Sequence, residues 1–385
     1  MKKIPVSELQ AGQIFSQAVY IEGNNLLVPA GVEIRKKDLT RLVSWGIESV
    51  ETDGEVVKSQ EAAKPAEKKN TIPAVFSAVD ELEKGGAYQS YVDLIERLDK
   101  IFSSIGSGVP VEIRSIDNIS ASLLQVIRDK RDEIIGYILG AEVSGMEMAK
   151  SSVNTAILSA LIAAELKLPS HKVLQIITGA LLHDVGMLRL PKDILDKKGG
   201  LSDGEYQRMQ AHPLYTYKIV CKELLYPEDI GLITLQHHER WDGEGYPRRI
   251  SENAITMGAR IVSVADAFEA MVCEKPYRNS MMGYQAMKNL LSDNSRRFDP
   301  DVLKAFIQTM GIYPIGSIVL LNNGAVVRVI EVQGNAPLRP KIRVLIDEFG
   351  KVFQPNEGDV LDLLTEKNLF IARALDPKEL AKKGV

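Results

Sequence analysis

The run Val173-Leu174-Gln175-Ile176-Ile177-Thr178-Gly179-Ala180-Leu181-Leu182 is apolar on nearly every side and ends on His183-Asp184-Val185-Gly186. A helix that is apolar all round belongs inside a bundle, so the run predicts a buried central helix with Gly186 as its stop. His183-Asp184 then stands at the C-terminal end of a buried helix. Further along come His212-Pro213 and the stretch His237-His238-Glu239-Arg240-Trp241-Asp242-Gly243-Glu244-Gly245-Tyr246-Pro247. Four of the five histidines fall between positions 183 and 238, so the chain rations imidazole and then concentrates it. Neutral imidazole suits Zn, Fe, Ni and Cu, while carboxylates bridge or bind harder ions such as Mn. The pattern predicts a metal site.

Composition narrows the class. A length of 385 residues allows two or three domains and a sizeable core. A net charge of −4 argues against a binder of nucleic-acid polymers, which normally shows a basic surplus, but permits a small anionic ligand held by local cations. Met1-Lys2-Lys3-Ile4-Pro5 has no apolar run behind it, and the greasiest stretch, Ala156 to Leu166, is too short for a bilayer and contains Glu165. The expectation is a cytoplasmic protein without membrane insertion. Cys221 and Cys273 form no close-spaced pair, so neither a disulfide framework nor a thiolate zinc site is expected.

The chain divides by pattern. Residues 1–57 read as a small β-rich domain: Ala18-Val19-Tyr20-Ile21 and Leu26-Leu27-Val28 flank a turn, then a short helix over 37–45 and a strand at 47–51 follow. Residues 58–72 mix charges of both signs without large apolar side chains, as a linker does. Residues 73–143 read as a helical spacer and 144–310 as the main helical domain, where Val153, Ile157 and Leu161 recur every four residues beside Leu158 and Ile162. The remainder, 311–385, reads as a small β module and tail, with an Asn322-Asn323-Gly324 hairpin between 317–321 and 325–330 and a third strand at 341–346.

The ordered series His183-Asp184, His212, His237-His238, Asp266 resembles the HD superfamily of metal-dependent phosphohydrolases. Gly245-Tyr246-Pro247 narrows the resemblance to the HD-GYP family of cyclic di-GMP phosphodiesterases. It spans about 144–310 and includes Ile194-Leu195-Asp196-Lys197-Lys198-Gly199, Ala259-Arg260-Ile261, Ala265-Asp266-Ala267-Phe268 and Lys275-Pro276-Tyr277-Arg278. The resemblance implies a mainly α fold, an HD-type helical bundle core flanked by small N-terminal and C-terminal β-rich domains. It also implies two or three divalent transition metals, with Fe and Mn favoured. His183, Asp184 and Asp266 would bind one; Asp184, His212, His237 and His238 a second, with Asp184 and a hydroxide bridging them. Hydrolysis of cyclic di-GMP to pGpG, and onward to GMP, would follow from water activated between two metals. Lys275 and Arg278 stand where the family grips phosphate. Tyr246 would shape the pocket or hydrogen-bond the substrate, or else pack on Trp241. His171, in Pro169-Ser170-His171-Lys172, reads as part of a surface loop without a role.

Two departures from the family bear on catalysis. The family usually has Lys where Met187 stands, and losing one such cation costs about 10²–10³-fold in rate. It also supplies a histidine at the position of Ser151; one turn earlier, Glu147 is either a substitute or third-metal ligand or a solvated charge at a helix start. Three functions therefore compete: a cyclic di-GMP phosphodiesterase, a catalytically degenerate receptor for that dinucleotide or a protein partner, and a hydrolase of another nucleotide. The flanking β domains leave room for a protein partner and the whole for a homodimer.

Overall fold

The computed structural model describes residues 2–17, 19–21, 25–28, 34, 38–39, 42, 47, 49–57, 86–140, 143–195, 197, 199–273, 282–292, 296–354 and 356–376. The expected linker, Lys275 and Arg278 lie outside the described residues, as does most of the helix expected over 37–45. Contacts within the chain divide it into two units, residues 1–70 and 71–385.

In the first unit, β1 (Lys2–Pro5), β3 (Val19–Ile21), β4 (Asn25–Val28) and β5 (Ser49–Thr52) form an antiparallel sheet in the order β1-β5-β3-β4, while β2 (Ile14–Phe15) pairs with β6 (Val56–Val57). The expected hairpin is present: Val19 pairs with Val28 and Ile21 with Asn25. Alternation along β5 buries Val50 and Thr52 while Ser49 and Glu51 stay partly exposed, the period of a sheet covered on one side. Leu9, Phe15, Val19, Val28, Ile34, Leu42 and Val50 form its core. Sequence pattern alone misses β1, because Lys2 and Lys3 mask a strand whose register is set by β5.

The second unit contains α1 (Gly86–Gly106), α2 (Ile113–Gly140), α3 (Glu147–Glu165), α4 (Ser170–Leu182), α5 (Lys192–Leu195), α6 (Asp203–Met209), α7 (His212–Lys218), α8 (Glu228–Gln236), α9 (Met257–Val272), α10 (Gly283–Ser292) and α11 (Pro300–Met310), and all but α5, α6 and α7 contribute to one apolar core. The segment expected as a spacer is part of this core. Tyr91, Leu94, Ile95 and Leu98 of α1 and Ile116, Ile119 and Leu123 of α2 are buried in the same cluster as Val153, Ile157 and Ile177. The central helix is α4, buried from Ile176 to Leu182 as its composition predicts. His171 lies in the first turn of α4, not in a loop, and is exposed.

The C-terminal part carries five strands where three were expected: β7 (Ile318–Leu321), β8 (Val326–Glu331), β9 (Lys341–Ile346), β10 (Val360–Asp362) and β11 (Ile371–Ala374), ordered β10-β9-β8-β7-β11. Gly324 closes the β7–β8 hairpin at φ +92°, a left-handed conformation that residues with a Cβ adopt only with strain. The last two strands are short and half-exposed, so their sequences carry no clear alternation. Tyr284 of α10 stacks on Tyr313 before the sheet, with ring centroids 4.9 Å apart.

Because Ile177 is fully buried at the centre of the bundle, Ile177→Ala is expected to cost about 2–5 kcal/mol of stability, measured by urea unfolding.

Candidate metal centre

The central helix stops short of its own motif. Leu182 is its last residue, His183 keeps helical angles (φ −55°, ψ −33°), and Asp184 departs from them (φ −106°, ψ 3°) before a short 3₁₀ turn over Val185–Arg189. This change of direction lets neighbouring side chains serve one point. Gly186 allows it through close packing and not through a positive φ. Its amide donates to Thr216 Oγ1 at 2.9 Å, and an added Cβ would collide with the His212 carbonyl oxygen and Thr216. The α4 end and the start of α7 can therefore meet backbone to backbone.

Three imidazoles are tied in the same way. His183 Nδ1 lies 2.7 Å from the Ala180 carbonyl oxygen, His212 Nδ1 2.8 Å from that of Met209, and His237 Nδ1 2.7 Å from that of Thr234. A carbonyl only accepts, so each Nδ1 donates, and a ring so tied offers the lone pair of Nε2 whenever Nε2 carries no proton. Those lone pairs converge on carboxylate oxygens, which are themselves acceptors. His183 Nε2 stands 3.4 Å from Asp184 Oδ2 and 3.7 Å from Asp266 Oδ1, while His212 Nε2 and His237 Nε2 stand 3.2 and 3.7 Å from Asp184 Oδ1. His212 Nε2 and His237 Nε2 are 3.4 Å apart, and His183 Nε2 is buried without a hydrogen-bond partner.

Lone pairs facing lone pairs in a buried site repel unless a proton or a cation lies between them. The titration shifts express this. Burial opposes a proton on His183, but Asp184 and Asp266 outweigh it and hold its pKa well above the ordinary imidazole value. Burial likewise opposes charge on the two carboxylates. The imidazoles overcome it, placing Asp184 well below the carboxylate range and Asp266 at about 2. Burial pushes His237 down and His238 further down, so both favour the neutral, ligating form.

Ligand atoms of Asp184, His212, His237 and His238 all lie within 4.8 Å of one another. Metal–ligand bonds of about 2.0–2.2 Å put ligand atoms roughly 3–4 Å apart, so a small inward adjustment around one ion suffices. The donor set fits a divalent transition metal. Asp184 and Asp266 keep 24% and 19% of their side-chain surface exposed, which leaves the centre open to a ligand on one side.

The loop after His238 forms one rim. Tyr246 packs against the His238 ring, tilted by 33° with 4.8 Å between centroids; Trp241 instead lies beneath the Arg260 guanidinium at 5.4 Å. Glu239, which sequence inspection passed over, is buried and accepts the amides of Arg248 and Ile250 at 2.6 and 3.2 Å, tying the Gly-Tyr-Pro loop back to the histidine pair. Gln236 does the same for the approach to α9, accepting from the Thr256 amide at 2.8 Å. The signal for both was adjacency: buried polar residues flanking the histidine pair must themselves be satisfied.

Glu147 is not brought to the centre. It is exposed at the first turn of α3 and accepts the Gly145 amide at 3.0 Å, the position of a helix-start charge. Met187 is half-buried in the 3₁₀ turn.

A family model described as an HD domain matches residues 139–302, and one described as a KOW domain associated with HD domain matches residues 318–383. The chain is 25% identical over 97% of its length to the cyclic di-GMP phosphodiesterase PdeB of Borreliella burgdorferi, covering 96% of that protein. It is 31% identical to a cyclic di-GMP phosphodiesterase of Pseudomonas aeruginosa over 64% of this chain and 58% of that one. It is 34% identical to 3'3'-cGAMP-specific phosphodiesterase 3 of Vibrio cholerae over 43% of this chain and 36% of that one. The expected resemblance stands with these relatives. No helix among the described residues is long and apolar enough to cross a membrane.

Gly186→Ala is expected to push α7 away and weaken Mn(II) binding by about tenfold or more, read by metal titration of the folded variant.

Proposed function

We infer that this chain, an HD-domain protein of the HD-GYP type, is a metal-dependent phosphodiesterase that hydrolyses cyclic di-GMP to pGpG and onward to GMP. The observation that carries this is the convergence of three Nδ1-anchored imidazoles on the Asp184 carboxylate. When bound, a pair of divalent ions, Fe or Mn, supplies an activated water and shields the charge that builds on the phosphate oxygens.

The protein's own groups set the frame for that chemistry. Asp184 presents Oδ2 toward His183 and Oδ1 toward His212 and His237, so one carboxylate serves two ligand sets. His183 and Asp266 complete one set; His212, His237 and His238 complete the other. The carbonyl anchors stop the rings from turning, so little reorganisation is needed as charge develops. Tyr246, packed against His238, lines the approach and orients the dinucleotide. Lys275 and Arg278 contribute phosphate contacts, Arg by a bidentate fork and Lys as a point charge. Residues 144–310 carry the reaction, in the cytoplasm, and the flanking β domains offer surfaces for a protein partner or a second copy.

Met187 favours one rival: a thioether cannot stabilise a phosphorane-like charge, and a centre that binds without turnover is a receptor. Purified protein reconstituted anaerobically with Fe(II) or Mn(II) decides between them. Accumulation of pGpG is expected, at a rate lowered by about 10²–10³-fold for want of a cation at 187. Asp184→Ala is expected to lose both metal and turnover, because one substitution removes a ligand from each set. Saturable binding with intact substrate would establish the receptor, and preferential cleavage of 3'3'-cGAMP in a substrate panel would move the assignment to the mixed dinucleotide.

A further inference from the structure

The first ligand set is short by one group. His183, Asp184 and Asp266 provide three side chains, and the position from which the resemblance implies a histidine holds Ser151. The structure shows what stands there instead. Ser151 Oγ donates to Glu269 Oε2 at 2.6 Å, and Asn154 Nδ2 donates to Glu269 Oε1 at 3.4 Å. Asn154 Oδ1 in turn accepts from the buried Tyr91 hydroxyl at 2.8 Å. Glu269 is 1% exposed, and its carboxylate is held inside the bundle by two residues of α3, one of them tied in turn to Tyr91 of α1.

Its place on α9 decides what that carboxylate can reach. Asp266 and Glu269 are three residues apart, neighbours on one helical face. Asp266 points at His183 Nε2, the buried nitrogen without a hydrogen-bond partner. A larger side chain at 151 would have to enter the space that the Ser151 hydroxyl and the Glu269 carboxylate share. Serine is small enough to leave the carboxylate there and polar enough to hold it.

Resting on the metal-centre assignment above, we propose that Glu269 is a protein ligand of the first metal in this chain, and that Ser151 positions it. A carboxylate at this point replaces a neutral imidazole with an anion, giving His183, Asp184, Asp266 and Glu269 as one imidazole with three carboxylates. That set is harder than one with a second histidine, so it favours Mn(II) or Fe(II) over softer ions. Ser151 acts through Glu269 and touches no metal.

Mn(II) binding to the full chain, measured by titration of free-ion electron paramagnetic resonance and by metal analysis after dialysis, tests this without recourse to activity. Two equivalents are expected for the unaltered chain and one for Glu269→Gln, which keeps shape and removes charge. Ser151→Ala is expected to retain both equivalents with the weaker one loosened about tenfold or more. Ser151→His in the Glu269→Gln background is expected to recover the second equivalent. Two equivalents of unchanged affinity in folded Glu269→Gln overturn the proposal, as does a single equivalent in the unaltered chain. An unaltered chain that binds no Mn(II) or Fe(II) overturns the metal centre itself, and this proposal with it. Should Glu269→Gln not fold, Glu269→Asp shortens the reach by one methylene: a loosened first site supports the proposal and unchanged affinity overturns it.

Discussion

Everything at the centre depends on one half-buried carboxylate, Asp184, around which three imidazole Nε2 atoms gather at 3.2–3.7 Å. Each of the three buried histidines commits its Nδ1–H to a carbonyl three residues back, so the ring is fixed in plane and in tautomer. Acceptors gathered this closely are unfavourable without positive charge among them. The raised pKa of His183 and the lowered pKa of Asp184 are two expressions of that demand, and a divalent ion meets it more completely than a single proton does.

The bundle is arranged to hold this unfavourable grouping in place. The imidazoles and carboxylates arrive from the ends of α4 and α8, the start of α7 and the middle of α9. Anchoring each ring to a carbonyl within its own local turn makes the geometry local, while packing of Gly186 against α7 makes the meeting of turns obligatory. Around this, Glu239 and Gln236 tie the succeeding loop and the α9 entrance to the same helix end. The histidine pair and the Gly-Tyr-Pro loop are thus joined by hydrogen bonds through Glu239.

The polar layer beneath α3 and α9 follows a different logic. Tyr91, Asn154, Ser151 and Glu269 are drawn from three helices and are largely enclosed. A bundle that needed only stability would fill such a layer with hydrocarbon, because satisfied buried polar networks add little net stability. Its position one turn along α9 from Asp266 ties it to the centre. Through Tyr91 it also ties in α1, which pattern alone reads as part of a spacer.

Several features were legible in the sequence because they rest on local chemistry. The apolar run ending at His183-Asp184 reported the central helix, since hydrophobic periodicity is a property of neighbouring residues. The scarcity of histidine made its clustering visible, and the Asn322-Asn323-Gly324 turn announced its hairpin because left-handed backbone selects glycine. Tertiary structure alone decided the rest. Gly186 looked like a helix stop, whereas its value lies in contact with a helix some thirty residues away. Glu147 and Glu269 are alike as isolated carboxylates, yet one sits at an exposed helix start and the other is carried inside. Which acid a site receives depends on how helices distant in sequence rotate against one another, and that rotation is set by the packing of the whole core.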